Sequence, residues 1–234
     1  SEVMMHWIYA GGGYKIWQDF RREKFNVIAF PGGMRPTEVF AHSHKPIRSL
    51  ADLKGLKMRT VGAWADILPK LGASVITLPG GEVLPALERK VIDCTEWATA
   101  GENLSMGFHE VAKYIIIPGI HQPSAPFEFV VNVKAWEELP PDLKAMVEEA
   151  AKIATLMSWT YLGVLDMGAM ETFKKKGNTI IELAPEVQKA AYKLGLEWGQ
   201  EQAAKDPWVK KLFESQIGFH KKWEVVENTR SLKY

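Results

Sequence analysis

A planar guanidinium at the end of a buried strand can hold a carboxylate through two parallel hydrogen bonds. Arg59 sits in the short stretch 57–61, which reads as a strand, and strands of α/β sheets present ligand-contacting groups from their C-terminal ends. Taken alone, such an arginine is more often an exposed charge. Glu96 and Trp97 close the apolar stretch 91–98 in the same manner. A carboxylate beside a large aromatic side chain suits a metal or cation site against an apolar wall. His42 and His44 lie two residues apart; on a strand they would share a side and offer two nitrogen ligands. No third ligand is evident, and a solvated loop pair is the simpler reading. Cys94 lies in an apolar run without a histidine beside it and reads as a small buried hydrophobe.

Two glycine clusters invite a phosphate-binding reading. Gly11, Gly12 and Gly13 follow an apolar run, and Pro79-Gly80-Gly81-Glu82 follows another. Neither has the GxGxxG spacing or the Lys and Ser/Thr of a P-loop. A tight turn explains the first and a helix start the second.

The elements that would position these residues alternate. Residues 6–10 read as a strand, 14–25 as a helix, and 26–30 as a second strand closed by Pro31, Gly32 and Gly33. Residues 34–49 look like a polar crossing segment. Ser49 is a plausible N-cap for a short turn ending at Gly55. Strands are then expected over 57–61, 74–78 and 91–98, with helical segments over 62–71 and from Glu82, which argues for a parallel α/β sheet. Further strands are expected over 114–117, 127–132 and at Ile180–Ile181, with a long helix from about 141 to 176 and helical structure thereafter.

The chain has 234 residues, 47% hydrophobic and 24% charged, which is a globular composition. Its formal net charge of +1 gives no bulk field favouring nucleic acid or an anionic membrane. With a single cysteine there is no internal disulfide and no thiolate-rich zinc pattern. The length is large for one core and small for two complete domains. No apolar run approaches the roughly 20 residues of a membrane span.

Several stretches in order carry a resemblance: Ser49-Leu50-Ala51-Asp52-Leu53-Lys54-Gly55-Leu56-Lys57-Met58-Arg59, Leu78-Pro79-Gly80-Gly81-Glu82, Ala86-Leu87-Glu88 and Val91-Ile92-Asp93-Cys94-Thr95-Glu96-Trp97. Pro118-Gly119, the segment from Asn132 to Pro140 and the long helix extend it. Together they resemble the solute-binding proteins of TRAP transporters, the DctP-type family. The resemblance implies a two-lobed α/β periplasmic binding protein (type II-like) with hinge strands and a long bridging helix. It implies a leader removed on export, and delivery of a small organic anion to the membrane subunits of a permease.

On that resemblance, residues 49–121 form the α/β lobe carrying most of the binding residues. Residues 1–48 and 122–234 supply the rest of the other lobe, the hinge strands and the C-terminal helices, and the first part of one lobe is expected to precede Ser1. The family's carboxylate-clamping arginine falls on Arg59. In the branch that takes 2-oxo or 2-hydroxy acids with a cation, the metal-contacting glutamate and tryptophan fall on Glu96 and Trp97, and a glutamine falls on Gln122; the tryptophan ligand is a backbone carbonyl. Such oxygen donors suit sodium or calcium. That branch carries Asn-Thr-Gly-x-Gln and then Gly-Gly-Trp-Phe where this chain has Met34-Arg35-Pro36-Thr37-Glu38 and then Val39-Phe40-Ala41-His42. Glu38 therefore stands where a ligand-contacting glutamine is expected, able to strengthen a divalent cation, to be neutralised by Arg35, or to bind a donor on a different ligand.

Two other classes compete. One is an enzyme on a carboxylate substrate with Glu96 as general base and Arg59 orienting the substrate; no activated nucleophile or cofactor fingerprint accompanies them. The other is a ligand-sensing module for a signalling partner. A homodimer through the long helix and a lobe-bridging role for it fit its apolar residues equally.

Overall fold

The structure is a computed structural model that describes residues 1–230. In chain order, α1 spans Glu2–Tyr9, α2 Gly13–Phe25, β1 Val27–Arg35, β2 Ala41–Ser43, α3 Leu50–Leu53, β3 Lys57–Arg59 and α4 Ala63–Ile67. A 3-10 turn at Leu68–Leu71 precedes β4 Ser74–Ile76, α5 Gly80–Glu88, β5 Cys94–Thr95, α6 Ala100–Met106, α7 Phe108–Val111 and β6 Tyr114–Ile117. There follow β7 Ala125–Asn132, α8 Val133–Glu138, α9 Pro141–Lys175, β8 Thr179–Glu182, α10 Pro185–Ala203 and α11 Pro207–Arg230. No described helix is long and apolar enough to cross a membrane.

The chain divides into two compact units. The first takes residues 1–34, 126–157 and the chain from Gly199 onward. Its opening segment corrects the expected strand over 6–10: Met4, Met5, Trp7 and Ile8 recur at helical spacing, and α1 buries Trp7 and Ile8. The Trp7 indole N–H donates to Ser215 Oγ at 3.1 Å. Gly13 is required beneath that indole, because a Cβ there would lie 2.7 Å from the ring. The glycine run is thus a turn with a packing role. Strand β1 continues through Pro31, Gly32 and Gly33 instead of ending at them. It belongs to a two-stranded sheet with β7, where proline removes no ladder bond that a third strand would need. The missing side chain at Gly32 leaves room for the Phe129 ring, which stacks on Phe30 at 5.0 Å.

The second unit comprises residues 35–125 and 158–198. It contains the whole of 49–121 and also 35–48, 122–125 and 158–198. Its six-stranded sheet has the order β4-β3-β5-β2-β6-β8. Strand β3 is parallel to β4 and β5, β6 is parallel to β8, and β2 is antiparallel to both its neighbours. The sheet is therefore mixed, because the segment read as a polar crossing supplies its reversed strand. Phe40, Ala41, His42 and Ser43 are all buried there.

His42 is consequently no loop residue. Its Nε2 accepts from Asn103 Nδ2 at 3.1 Å, and the rings of Phe108 and Phe173 flank it at 5.6 Å each. Burial first, then the nearby His109, push the imidazole down to about 3. His44 turns away to donate from Nε2 to the Leu87 carbonyl at 2.8 Å. Cys94 is fully buried with its thiol pushed far up by burial, an inert core residue as expected. Helix α3 has the expected Ser49 cap, completed into a capping box by Asp52. Phe40, Leu53, Met58, Trp64, Leu68 and Ile116 lie in one core cluster beneath this end of the sheet.

Candidate functional site

Topology explains why separated residues meet. Strands β3 and β5 run together and β2 opposes them, while β6 opposes β2 and so runs with β3 and β5. The C-terminal ends of β3, β5 and β6 and the N-terminal end of β2 therefore share one edge. Arg59 ends β3, Glu96 and Trp97 follow β5, Glu38 precedes β2, and His121 follows β6. In open α/β sheets that edge is where ligands bind.

Arg59 is buried at 7% exposure. It donates from Nη1 to Glu96 Oε1 and from Nη2 to the Leu78 carbonyl, both at 3.2 Å. Its guanidinium lies over the Trp97 ring, 5.3 Å from the centroid. Gly80 makes room for that indole, since a Cβ at position 80 would come within 2.8 Å of it. The second glycine cluster thus starts α5 and seats Trp97, and has no phosphate-binding features.

Glu38 is buried with its side chain only 1% exposed. Arg35 Nη1 donates to Glu38 Oε1 at 2.8 Å, and Arg35 Nη2 to Glu102 Oε1 at 2.7 Å. Neutralisation by Arg35, one of the options open from sequence, is what the structure contains. Burial opposes the Arg35 charge, but Glu102 and Glu38 hold it above the usual arginine range. The backbone of Glu38 is pinned as well: its N–H donates to Gln122 O at 3.2 Å, and its carbonyl accepts from Gly119 N–H at 2.7 Å. A Cβ at position 119 would overlap that carbonyl oxygen. Gln122 therefore enters the site through its backbone, as an anchor for Glu38.

The residue that sequence reasoning missed is His121. Its side chain is 3% exposed, with Nε2 at 3.1 Å from Glu38 Oε2 and 3.9 Å from Glu96 Oε2. Its ring packs 5.9 Å from Phe40 and 6.1 Å from Trp64. The available signal was its position a few residues past an apolar strand, the placing that singled out Arg59 and Glu96. Burial raises the Glu96 carboxyl, Glu38 adds to the rise, and His121 and Arg59 oppose it.

Burying so many charges costs several kcal/mol per ion unless each is paired. Here each carboxylate has an arginine on Oε1 and the imidazole facing Oε2. Arg59 Nε, Trp64 Nε1 and His121 Nδ1 remain buried without a partner among the described residues. The N–H groups of Arg59 and Trp64 among them are unsatisfied buried donors at a charged cluster and mark a place for an anion. An apolar cavity of about 420 Å³ in the first unit, bordered by Trp7, Trp17, Phe20 and Trp208, has no such convergence of charge.

Glu38, Glu96 and His121 bring three potential metal-binding atoms within 4.8 Å of one another. Two carboxylate oxygens fit a bound cation, and the imidazole nitrogen is a donor that hard cations do not seek.

The model of the bacterial extracellular solute-binding proteins, family 7, called DctP, matches residues 1–206. The chain belongs to the DctP family. The monocarboxylate 2-oxoacid-binding periplasmic protein of Nostoc sp. is 31% identical over 228 residues, which are 97% of this chain and 62% of that protein. This chain thus spans about three fifths of that relative's length. The TRAP periplasmic solute-binding protein of Colwellia psychrerythraea, solved with calcium and pyruvate, superposes with a TM-score of 0.89 at 31% identity, covering 98% of this chain and 70% of that one. A TRAP solute-binding protein of Bordetella bronchiseptica, solved as a mixed-occupancy dimer with copurified calcium and picolinate, gives 0.88 at 30% identity, covering 97% and 69%.

DctP proteins are extracellular by description, and the Nostoc and Colwellia proteins are periplasmic, the compartment expected. The α/β fold of the TRAP solute-binding proteins is the expected one too. The family is one of binding proteins, which leaves the enzyme reading without support.

Proposed function

We propose that this DctP-family chain is the ligand-capturing part of a TRAP-type transporter component. It takes a small monocarboxylate of the 2-oxo or 2-hydroxy class together with a cation and hands the acid to the permease's membrane subunits. The observation that carries this reading is the buried Arg59, stacked on Trp97, with an unpartnered Nε beside a carboxylate and imidazole cluster that can hold a cation. The pyruvate and picolinate bound by the similar proteins have the same chemistry, a carboxylate with a second donor atom next to it.

In this assignment Arg59 Nε, with Nη1 exchanging away from Glu96, holds the acid's carboxylate. Trp97 forms the apolar wall and Glu38 faces the acid's second oxygen across the cation. Glu96 and the Trp97 carbonyl contribute oxygen ligands to that cation, and Gln122 holds Glu38 in place through its backbone. A cation there supplies positive charge to the acid's oxygens.

The test is a thermal-shift panel of C2 to C6 mono- and dicarboxylates with and without calcium, sodium or a divalent transition ion. A ligand at 100 times its Kd stabilises by about 2.7 kcal/mol. The expected result is a rise in Tm with 2-oxo or 2-hydroxy acids that grows with added cation; no rise with any acid would overturn the reading.

The long helix supports one partner more. Within the first unit, Met146, Ile153 and Met157 of α9 are 63%, 61% and 59% exposed at spacings of seven and four, a single apolar face. A second copy of this chain is the occupant we assign to it, in line with the dimer of the Bordetella protein. Light scattering should report a dimer, and Ile153→Glu should convert it to a monomer; a monomeric parent would refute the pairing.

A further inference from the structure

The donor set of the second unit is not the all-oxygen set that calcium and sodium prefer, and its geometry says more than that. In Glu38 the Oε1 atom is taken by Arg35 at 2.8 Å, and in Glu96 the Oε1 atom is taken by Arg59 at 3.2 Å. Each carboxylate is thereby turned so that only Oε2 faces the third member, His121 Nε2, at 3.1 and 3.9 Å. The result is two one-oxygen carboxylates and one imidazole with all three atoms within 4.8 Å. Arginines behind the carboxylates act as orienting outer partners do around metal sites. They also hold each carboxylate in the one-oxygen mode, whereas calcium favours six to eight oxygens and often takes carboxylates two oxygens at a time.

The charge balance points the same way. Glu38, Glu96 and Glu102 face Arg35 and Arg59, so the carboxylates and guanidiniums of the cluster amount to three negative and two positive charges. A field of net −1 holds a hard cation weakly; a nitrogen ligand adds affinity for borderline ions and little for calcium or sodium. The His121 ring is walled by Phe40 and Trp64, which fixes it where it stands and narrows the space for additional waters on that side.

We infer that Glu38, Glu96 and His121 form a site for a borderline divalent transition ion of the zinc, cobalt or nickel class, selected over calcium and sodium by the imidazole of His121. This rests on the reading of the same cluster as the cation site for acid capture, and it changes which ion accompanies the acid. The Colwellia and Bordetella proteins were solved with calcium, so the inference concerns His121 and Glu38 of this chain and not the family at large.

The experiment uses the whole chain stripped with chelator and then titrated with zinc, cobalt or calcium alone, read by thermal shift and, for cobalt, by visible absorption. The expected result is binding of zinc and cobalt at least about tenfold tighter than calcium, with cobalt bands that shift on His121→Gln. That variant restores an all-oxygen set and should move preference toward calcium, while Glu96→Gln should weaken every ion. Calcium binding as tight as zinc, or cobalt bands indifferent to His121→Gln, would overturn the assignment. Should His121→Gln not fold, competition of calcium against cobalt on the unaltered protein decides: easy displacement overturns it. Pyruvate is titrated separately. A pyruvate shift without transition-ion binding sinks this inference and leaves acid capture standing; tight zinc binding without any acid shift supports the site and sinks the acid reading.

Discussion

Arg59→Met is expected to weaken binding of pyruvate by more than about 30-fold, the equivalent of about 2 kcal/mol for a charge-assisted pair. It is also expected to lower stability by roughly 3 kcal/mol, because it leaves one partner of a buried ion pair alone. Arg59 and Glu96 have side chains 8% and 7% exposed, so water cannot replace the lost arginine. Glu96 is already raised by burial, and without Arg59 it should take up a proton more readily, so the stability loss shrinks as the solution is acidified. The two effects separate in the double variant. Arg59→Met with Glu96→Gln removes both charges and should recover most of the stability, since a neutral pair in a buried place can be as stable as the ionic one. It should recover none of the acid binding. Urea unfolding measures the first quantity and calorimetric titration the second. Unchanged affinity in Arg59→Met would remove this arginine as the clamp whatever happened to stability.

Features with a local physical cause were legible: the Ser49 cap, the helical spacing of 14–25, the long helix and the branched run of β6 all stand where expected. Arg59, Glu96 and Trp97 were legible from their position at strand ends, and the structure brings all three together. What was lost depended on partners distant in the chain. Strand β2 has three residues and includes a histidine, so no periodicity could show, and its burial comes from β5 and β6 on either side. The Pro31-Gly32-Gly33 run looks like a stop, yet it fits a two-stranded ribbon in which Phe129 occupies the space left by glycine. Helix α1 was missed because a five-residue window was too short to tell alternation from a helical face. At the site, His121 and Gln122 are adjacent in a loop, where neither periodicity nor composition distinguishes them. A one-residue shift in a loop decides which side chain faces inward, and only the pinning of Glu38 by Gly119 and Gln122 reveals that His121 does.

The same buried strand gives the protein an acid sensitivity that does not involve the binding site. His42 is fully buried, its Nε2 accepts from Asn103, and Asn103 gives its other hydrogen to the Ala98 carbonyl at 3.0 Å. Burial away from water, with His109 nearby adding to it, holds the folded value at about 3 against an ordinary 6.5, and protonation at Nε2 would also set two donors against each other. A folded pKa below the unfolded one means that the unfolded chain binds the proton first. Stability is therefore full above pH 6.5, falls as pH drops from 6.5 toward 3, and levels off below that. With an unfolded value of about 6.5, the loss at pH 5 relative to pH 8 is about 2 kcal/mol, and the limiting slope is about 1.4 kcal/mol per pH unit. This figure depends little on how far below 4 the folded value lies. His109, also lowered by burial, adds in the same direction, while the raised Glu96 acts oppositely at lower pH. The contribution of His42 is isolated by His42→Gln, whose side-chain oxygen can accept from Asn103 and carries no titrating proton. Urea unfolding between pH 5 and 8 should show the parent losing about 2 kcal/mol more than the variant. Equal losses in the two proteins would mean that His42 titrates alike in the folded and unfolded chain, with Asn103 turned so that its Oδ1 accepts from Nε2.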